Sequence, residues 1–216
     1  MLILGHLGNT IEGLQAVVAA GVDGVEFDVR RSADGVLVLH HDAEVEGIGL
    51  VSHLRHAQLP NWIPTLDDAL KVCAGLVTNI EVKNLSIDPD RDPHERTAVA
   101  VAELVRDRRL YDSVVVSSFS TRSLDTIRAI DPEVVTARLT LPQGDQLALA
   151  EVALEAGHRV FHPHVAAVTR ELVDQLHALG VKVTPWAVDD ATTFKSMIEL
   201  GVDAVITDNP ATIRPI

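Results

Sequence analysis

The chain has 216 residues, of which 47% are hydrophobic and only 3% aromatic, and its formal net charge at pH 7 is −13. This length suits one domain whose core is built from Val, Leu, Ile and Ala, the residues that fill parallel sheets covered on both faces. The acidic balance, without any cluster of Lys or Arg, argues against a partner bound through its phosphate backbone, so we expect no nucleic-acid ligand.

Short apolar runs alternate with segments of helical period along the whole chain. The pattern predicts strands at 2–6, 23–29, 76–83, 112–118, 133–138, 158–163, 181–186 and 203–206, with a further extended stretch at 36–41. It predicts helices at 10–20, 65–74, 94–108, 121–129, 145–156, 168–179, 190–200 and 209–214. Thr65 is placed to cap the second helix, and Gly201 to end the seventh.

Eight units of strand followed by helix predict a closed α/β barrel of the (β/α)8 TIM type, as a single domain over residues 1–216. The competing fold is a doubly wound open sheet. That fold usually carries a glycine-rich phosphate-binding turn after the first strand, and this sequence has none.

Features of targeting and redox chemistry are sparse. Cys73 is the only cysteine, so no disulfide can form within the chain. The first six residues lack a basic segment and a cleavage site, and no uncharged apolar run reaches the roughly 20 residues that span a bilayer. We therefore expect a cytoplasmic protein without an integral membrane segment, and the sequence leaves its oligomeric state open.

Acidic residues end two of the predicted strands, at the carboxyl ends where barrels build their active sites. Side chains alternate along a strand, so Glu26 and Asp28 share one face, as do Glu81 and Lys83. Three carboxylates inside a barrel would repel one another unless a cation lies among them. This arrangement predicts a hard divalent ion, Mg²⁺ or Ca²⁺, and the alternative is buried ion pairing with Lys83 or Arg30.

Histidines also close strands in this chain. His6 ends the first strand, and His40 and His41 end the stretch at 36–41. Imidazole is the side chain whose pKa suits proton transfer near neutrality. Alternation places His40 and His41 on opposite faces, and by itself it leaves open which of them faces the metal.

Eight segments, in this order, resemble the motifs of the glycerophosphodiester phosphodiesterase family. They are Gly5–Thr10 (like HRG…ENT), Gly21–Val29 (an E-x-D strand), Asp34–Asp42 (DG…HD), Ile63–Leu66 (IPTL), Ile80–Lys83 (IEIK), Ser117–Phe119 (SSF), Trp186–Asp189 (WTVN) and Gly201–Pro210 (GVDGIITDxP). Each motif is weak alone, whereas eight in the right order make a strong resemblance over nearly the whole chain. The resemblance implies a barrel of the phospholipase C-like phosphodiesterase type.

The resemblance also implies roles for the residues at the strand ends. Glu26, Asp28 and Glu81 match the family's metal ligands. His6 and His41 match its general acid/base pair, and His41 is preferred to His40 because it directly precedes Asp42.

Three further residues are implied in substrate binding. Lys83 matches a residue near the phosphate, and Trp186 matches an aromatic residue at the substrate mouth, with plain packing at the barrel rim as its alternative. The family's phosphate-binding arginine after the first histidine is Leu7 here, and the glutamate of ENT is missing because Gly8 directly precedes Asn9. Asn9 is therefore expected to contact the substrate, as one of the donors near enough to replace that arginine.

This compact opening resembles that of the related sphingomyelinase D enzymes of spider venoms and bacteria, and the segment 43–62 is shorter than the family's inserted subdomain. The resemblance implies metal-dependent hydrolysis of small glycerophosphodiesters to glycerol 3-phosphate and an alcohol. One alternative is phospholipase D-like cleavage of lysophospholipids, which an exposed apolar rim would favour. Another is a barrel that binds a phosphorylated ligand and turns it over weakly.

Overall fold

The predicted alternation of strands and helices is present in the computed structural model, which describes residues 1–213. The strands are β1 (Leu2–Gly5), β2 (Gly24–Arg31), β3 (Leu37–Leu39), β4 (Glu44–Val45), β5 (Gly49–Leu50), β6 (Val77–Val82), β7 (Val114–Ser118), β8 (Val135–Thr140), β9 (Val160–Pro163), β10 (Lys182–Val183) and β11 (Ala204–Thr207). The α-helices are α1 (Ile11–Ala19), α2 (Leu66–Val72), α3 (Arg96–Arg108), α4 (Thr121–Ile130), α5 (Gln146–Glu155), α6 (Arg170–Ala178), α7 (Ala191–Leu200) and α8 (Pro210–Ile213). The last position of the helix predicted at 209–214 lies outside the described residues. Within residues 1–213, every helix is too short or too polar to cross a lipid bilayer.

Eight of the strands are parallel and form the wall of a barrel. Their hydrogen-bonded order is β10-β9-β8-β7-β6-β2-β1-β11, and β3 pairs antiparallel with β2. Between the two ends of this order, the amide of Asp203 donates to the carbonyl of Val183 at 2.9 Å, and the amide of Ile206 to that of Pro185 at 2.9 Å. The barrel is thereby nearly closed. The predicted (β/α)8 fold is confirmed, and the open doubly wound sheet is excluded.

The seventh strand of the barrel is shorter than predicted. The sequence pattern predicted 181–186, whereas the regular part of β10 is only Lys182–Val183. In the register of β9 and β10, the amide that would donate to the carbonyl of Thr184 belongs to position 163, and Pro163 has no N–H group, so the regular ladder stops there. The amides of Thr184 and Trp186 still donate to carbonyls of β9, at 2.9 and 3.1 Å, and position 186 therefore stays at the barrel wall.

Side-chain caps set where the helices begin. Thr65 accepts a hydrogen bond from the amide of Asp68, as predicted for the start of α2, and Thr10 accepts one from the amide of Gly13 at the start of α1. Gly201 ends α7 with a φ of 79°, a left-handed conformation that glycine adopts without steric cost. A short loop then connects each of these three helices to the strand that follows it.

The main core lies between the barrel wall and the surrounding helices. On β2, Val25, Phe27 and Val29 are fully buried in a cluster that includes apolar residues of α1 and α3. Full burial of one such side chain stabilises the fold by roughly 1.5–3 kcal/mol. Because side chains alternate along the strand, this outward packing turns Glu26 and Asp28 towards the barrel axis.

The connection between β3 and α2 contains structure that the sequence pattern did not predict. β4 and β5 pair as a short antiparallel hairpin. A separate buried cluster joins this connection to β3, and it consists of Val38, Val45, Val51, Leu59 and Ile63. The shortened segment at 43–62 therefore has a small core of its own, packed beside the strand that leads to His40 and His41.

Candidate active site

A cleft of about 810 Å³ opens at the carboxyl ends of the barrel strands. Active sites of barrels with this architecture lie at this end, on the loops that follow the strands. The cleft brings together seven of the eight predicted site residues, which are His6, Glu26, Asp28, His41, Glu81, Lys83 and Trp186. The eighth, Asn9, lies behind this surface.

Three buried carboxylates form the acidic centre of the cleft. Asp28 and Glu81 are direct neighbours in the register of β2 and β6, and Glu26 lies two residues before Asp28 on the same face. One ligand oxygen from each of the three lies within 4.8 Å of the others. The geometry thus assembles the acids that the alternation of side chains predicted to share one face.

Asp28 is the most completely bonded of these acids. Its Oδ1 lies 2.8 Å from Lys83 Nζ, and its Oδ2 accepts a hydrogen bond of 2.8 Å from Asn9 Nδ2. Asn9 Oδ1 also accepts from the amide of Asp28, at 2.8 Å. Burial alone would raise the pKa of Asp28, and the charges of Lys83 and His6 outweigh burial and lower it. Both polar groups of the Asn9 side chain are therefore used by Asp28, which favours a positioning role for Asn9 over the substrate contact that we predicted.

The other two acids differ in how well their oxygens are satisfied. Glu26 Oε1 is buried without a hydrogen-bond partner, whereas Glu81 Oε1 lies 2.7 Å from Lys83 Nζ. Burial raises the pKa of Glu81 to about 8, with further contributions from Asp28 and Glu26 that Lys83 only partly opposes. Buried carboxylate oxygens without partners are costly. A hard divalent cation with oxygen ligands fits this donor set.

His6 stands beside the same carboxylates. Its Nδ1 lies 2.6 Å from Glu26 Oε2, and its Nε2 lies 3.8 Å from Asp28 Oδ2. Burial alone would lower the pKa of His6, but the charge and hydrogen bond of Glu26, together with the charge of Asp28, raise it to about 10. Among these acids, the imidazole holds its proton strongly at neutral pH.

The two histidines after β3 occupy different environments. His41 is exposed and lines the cleft, and its Nδ1 lies 2.7 Å from Asp42 Oδ1. His40 is half-buried, and its ring packs against that of Trp62 with 5.8 Å between centroids. The structure therefore places His41, and not His40, on the surface of the cleft.

Trp186 forms part of the aromatic wall of the cleft. Its Nε1 donates a 3.0 Å hydrogen bond to the carbonyl of His162, which fixes the indole. Phe119 and His164 contact the indole edge to face, with centroid distances of 5.5 and 5.1 Å. Because Trp186 both packs at the rim and lines the cleft, packing and substrate contact are compatible for this residue.

Arg30 has contacts that the sequence did not predict. We considered it as a partner of the three strand-end acids, and in the structure Lys83 takes that place. The buried guanidinium of Arg30 instead bonds to Asp90 at 3.0 Å and to the backbone carbonyl of His41 at 2.9 Å. The sequence does contain a signal for the position of this side chain. Arg30 lies two residues after Asp28, so alternation along β2 turns both side chains to the same face.

Comparison with known proteins is consistent with this geometry. A model of the glycerophosphoryl diester phosphodiesterase family matches residues 5–212. The chain belongs to this family. A glycerophosphodiester phosphodiesterase of Caldanaerobacter subterraneus is 29% identical over 98% of this chain and 96% of its own length, and one of Bacillus altitudinis is 29% identical over 94% and 89%. The resemblance predicted from the motifs is thereby confirmed.

Solved structures of glycerophosphoryl diester phosphodiesterases share the fold of this family member. An Oleispira antarctica phosphodiesterase, determined in complex with the product sn-glycerol-3-phosphate, has a TM-score of 0.87 and 25% identity, and the match covers 99% of this chain and 95% of that one. Family membership also fixes the class of enzyme, since glycerophosphoryl diester phosphodiesterases are phosphoric diester hydrolases.

Proposed function

We propose that this enzyme hydrolyses glycerophosphodiesters to glycerol 3-phosphate and an alcohol, with Mg²⁺ or Ca²⁺ held by Glu26, Asp28 and Glu81. The observation that carries the proposal is that three buried carboxylates share one cleft with the imidazoles of His6 and His41. The glycerol 3-phosphate complex of the Oleispira relative supports the choice of product.

The chain supplies proton transfer and fixed charge to this reaction. A bound divalent ion would stabilise negative charge on the phosphoryl oxygens and lower the pKa of a hydroxyl or water nucleophile. One histidine, His6 or His41, takes the nucleophile's proton, and the other protonates the leaving alkoxide. General acid–base transfer of this kind typically contributes about 10²–10⁴-fold.

Lys83 provides a permanent cation in the cleft. Burial alone would lower the pKa of Lys83, but the charges of Glu81 and Asp28 outweigh burial and raise it. The ammonium group therefore stays protonated throughout the working range of pH. Lys83 also lines the cleft, where its charge favours an anionic phosphate.

Turnover of glycerophosphocholine by the purified protein, with Mg²⁺ or Ca²⁺ present and glycerol 3-phosphate measured, tests the proposal directly. The variant carrying both His6→Ala and His41→Ala is the matched control for contaminating activity. Binding of glycerol phosphate without turnover would instead favour a barrel that only binds a phosphorylated ligand.

A second candidate, cleavage of lysophospholipids, is favoured by apolar side chains at the rim of the cleft. Ile87, between β6 and α3, is 84% exposed, and Leu141, after β8, is 56% exposed; both line the cleft. A small, soluble alcohol needs no such surface, whereas an acyl chain would bury it. The variants Ile87→Asn and Leu141→Asn are therefore expected to lower kcat/KM for lysophosphatidylcholine relative to glycerophosphocholine.

The magnitude and the control for this prediction follow from burial. Loss of one buried aliphatic side chain corresponds to roughly 10-fold, since about 1.4 kcal/mol is a factor of ten. Ile198→Asn is the matched control because Ile198 is an exposed isoleucine on α7 that does not line the cleft. Equal changes for both substrates, or no activity on the lysolipid, would exclude this second candidate.

Leu7, the residue in place of the family's arginine, is on the surface. It is 37% exposed and is not among the described residues that line the cleft. Leu7→Arg is therefore expected to change kcat/KM and inhibition by inorganic phosphate by less than about 2-fold, with stability altered by no more than about 0.5 kcal/mol. Tighter phosphate inhibition would show that a guanidinium at this position does reach the phosphate.

Metal binding to the carboxylates should compete with protons. The pKa of His6 is raised from 6.5 to about 10 and that of Glu81 from 4.5 to about 8. In both cases the folded metal-free protein keeps a proton at pH values where the unfolded chain has already released it. The free energy of unfolding therefore falls as pH rises through these windows. We expect the Tm of chelated protein to fall between about pH 5 and pH 9, and the Tm increase caused by Mg²⁺ or Ca²⁺ to grow over the same range.

Thermal unfolding at several pH values, with and without the ion, checks this expectation. Glu81→Gln is the control, because the amide cannot titrate and the variant should lose much of the pH dependence. A Tm increase that is constant or smaller at high pH would contradict the assignment of the ion to these carboxylates.

A further inference from the structure

Arg30 joins three parts of the cleft through one buried guanidinium. Its Nε and Nη2 donate to the backbone carbonyl of His41, at 3.0 and 2.9 Å. Its Nη1 donates to the two carboxylate oxygens of Asp90, at 3.0 and 3.2 Å, and lies 3.7 Å from Asp88 Oδ2. The side chain thus links β2, which carries two of the three acids, to the His41 segment and to the connection between β6 and α3.

The His41 segment needs such a link because it has left the sheet. β3 ends at Leu39, and the amide of His40 makes a last bond of 3.1 Å to the carbonyl of Asp28. The His41 side chain is exposed, and the Asp42 carboxylate to which it bonds is exposed too. Beyond His40, therefore, the Arg30 guanidinium holds the backbone to β2, in place of the hydrogen bonds of the strand ladder.

The chemistry of the contact requires arginine rather than any other cation. Two donors of one planar group converge on a single carbonyl while a third reaches a carboxylate, and the ammonium of lysine lacks this fixed fork. The buried charge is compensated by Asp90 and Asp88, whose nearest oxygens lie 3.0 and 3.7 Å from Nη1. The connection between β6 and α3, which contains Asp88 and Asp90, also carries Ile87 of the apolar rim. Arg30 is therefore bonded to the loop that presents Ile87 to the cleft.

We propose that Arg30 is a positioning residue that holds His41 at its working distance from the three carboxylates. Its hydrogen bonds go to the backbone carbonyl of His41 and to Asp90, so it acts on the reaction through the peptide of His41. This inference rests on the proposed role of His41 in proton transfer. Small displacements of a catalytic group are costly, since about 1 Å of misplacement can lower the rate on the order of 10²-fold.

A double-mutant cycle with His41→Ala tests the proposal on glycerophosphocholine. Arg30→Lys keeps the charge beside Asp90 and removes the fork onto the carbonyl. It is expected to lower kcat by about 10- to 100-fold while KM changes by less than about 3-fold. In the His41→Ala background the same substitution should change kcat by less than about 3-fold, because the group that it positions is already gone.

Arg31→Lys is the matched control, since Arg31 is the next residue of β2 and does not line the cleft; its kcat should equal that of the parent. Arg30→Gln, which keeps one donor without the charge, takes the place of Arg30→Lys in the cycle if the latter does not fold by circular dichroism. Unchanged kcat in Arg30→Lys, or an equal loss in both backgrounds, would overturn the positioning role while leaving the proposed function intact. Full activity of His41→Ala would instead overturn the proton-transfer role of His41 and, with it, the role of Arg30.

Discussion

Exhaustive chelation of divalent ions is expected to lower the rate of phosphodiester hydrolysis by on the order of 10³-fold or more. The reason is that Lys83 and His6 balance only two of the three carboxylates in the cleft, so the charged form of Glu81 is unfavourable without an ion, and Glu26 Oε1 has no hydrogen-bond partner. Stabilisation of the phosphoryl transition state by a metal contributes several kcal/mol, and each 1.4 kcal/mol is about tenfold in rate.

Hydrolysis of glycerophosphocholine and of bis(p-nitrophenyl) phosphate should be measured before chelation, after chelation and after addition of Mg²⁺ or Ca²⁺. The ion that restores the rate at the lower concentration is the one that the site prefers. Undiminished turnover in metal-free buffer would exclude the proposed metal.

Glu81→Gln should lower activity, as chelation does. It should, however, raise the stability of the metal-free protein. Burial raises the pKa of Glu81 to about 8, which means that its charged form is unfavourable in the folded metal-free protein. The neutral amide is therefore expected to raise the Tm of the metal-free protein while removing most of the Tm increase that the ion causes. Glu44→Gln, a change at an exposed acid lining the same cleft, should leave both properties unchanged.

The alternation of side chains predicted the acidic centre because it depends only on the backbone. Val25, Phe27 and Val29 pack outwards against the helices, so Glu26 and Asp28 have one direction left to face. The carboxyl ends of parallel strands meet at one end of a barrel, which brings Glu81 of β6 beside them. Sequence pattern and topology together were sufficient for this part of the site.

Contacts made by side chains outside regular strands could not be predicted in the same way. His40 and His41 follow the end of β3, so strand alternation does not determine where their side chains point. The direction of the His40 ring is instead set by its packing against Trp62. Tertiary packing determines the partners of Arg30 and Asn9. The spacing of residues in the sequence does not indicate that Arg30 bonds to Asp90, or Asn9 to Asp28. The hairpin of β4 and β5 was missed because strands of two residues carry no periodic signal.

His41→Ala and His6→Ala are each expected to lower kcat by on the order of 10² or more, whereas His40→Ala is expected to leave kcat near that of the parent. His6 lies 2.6 Å from Glu26 within the acidic centre, and His41 lines the cleft from the connection that follows β3. His40 instead packs against Trp62 and bonds through Nδ1 to the carbonyl of Asp42 at 2.8 Å.

The neighbouring histidines should differ in stability as well as in activity, and this contrast makes the experiment decisive. His41 is exposed, so its removal should alter the free energy of unfolding by no more than about 0.5 kcal/mol. His40→Ala removes a ring packed on Trp62, and such aromatic pairs contribute about 0.5–1.5 kcal/mol beyond their burial, so this variant should be less stable and fully active. Urea unfolding and steady-state kinetics on the same samples separate the two effects. A crippled His40→Ala beside a silent His41→Ala would place the other imidazole in the cleft, and the proton-transfer role would then pass to His40.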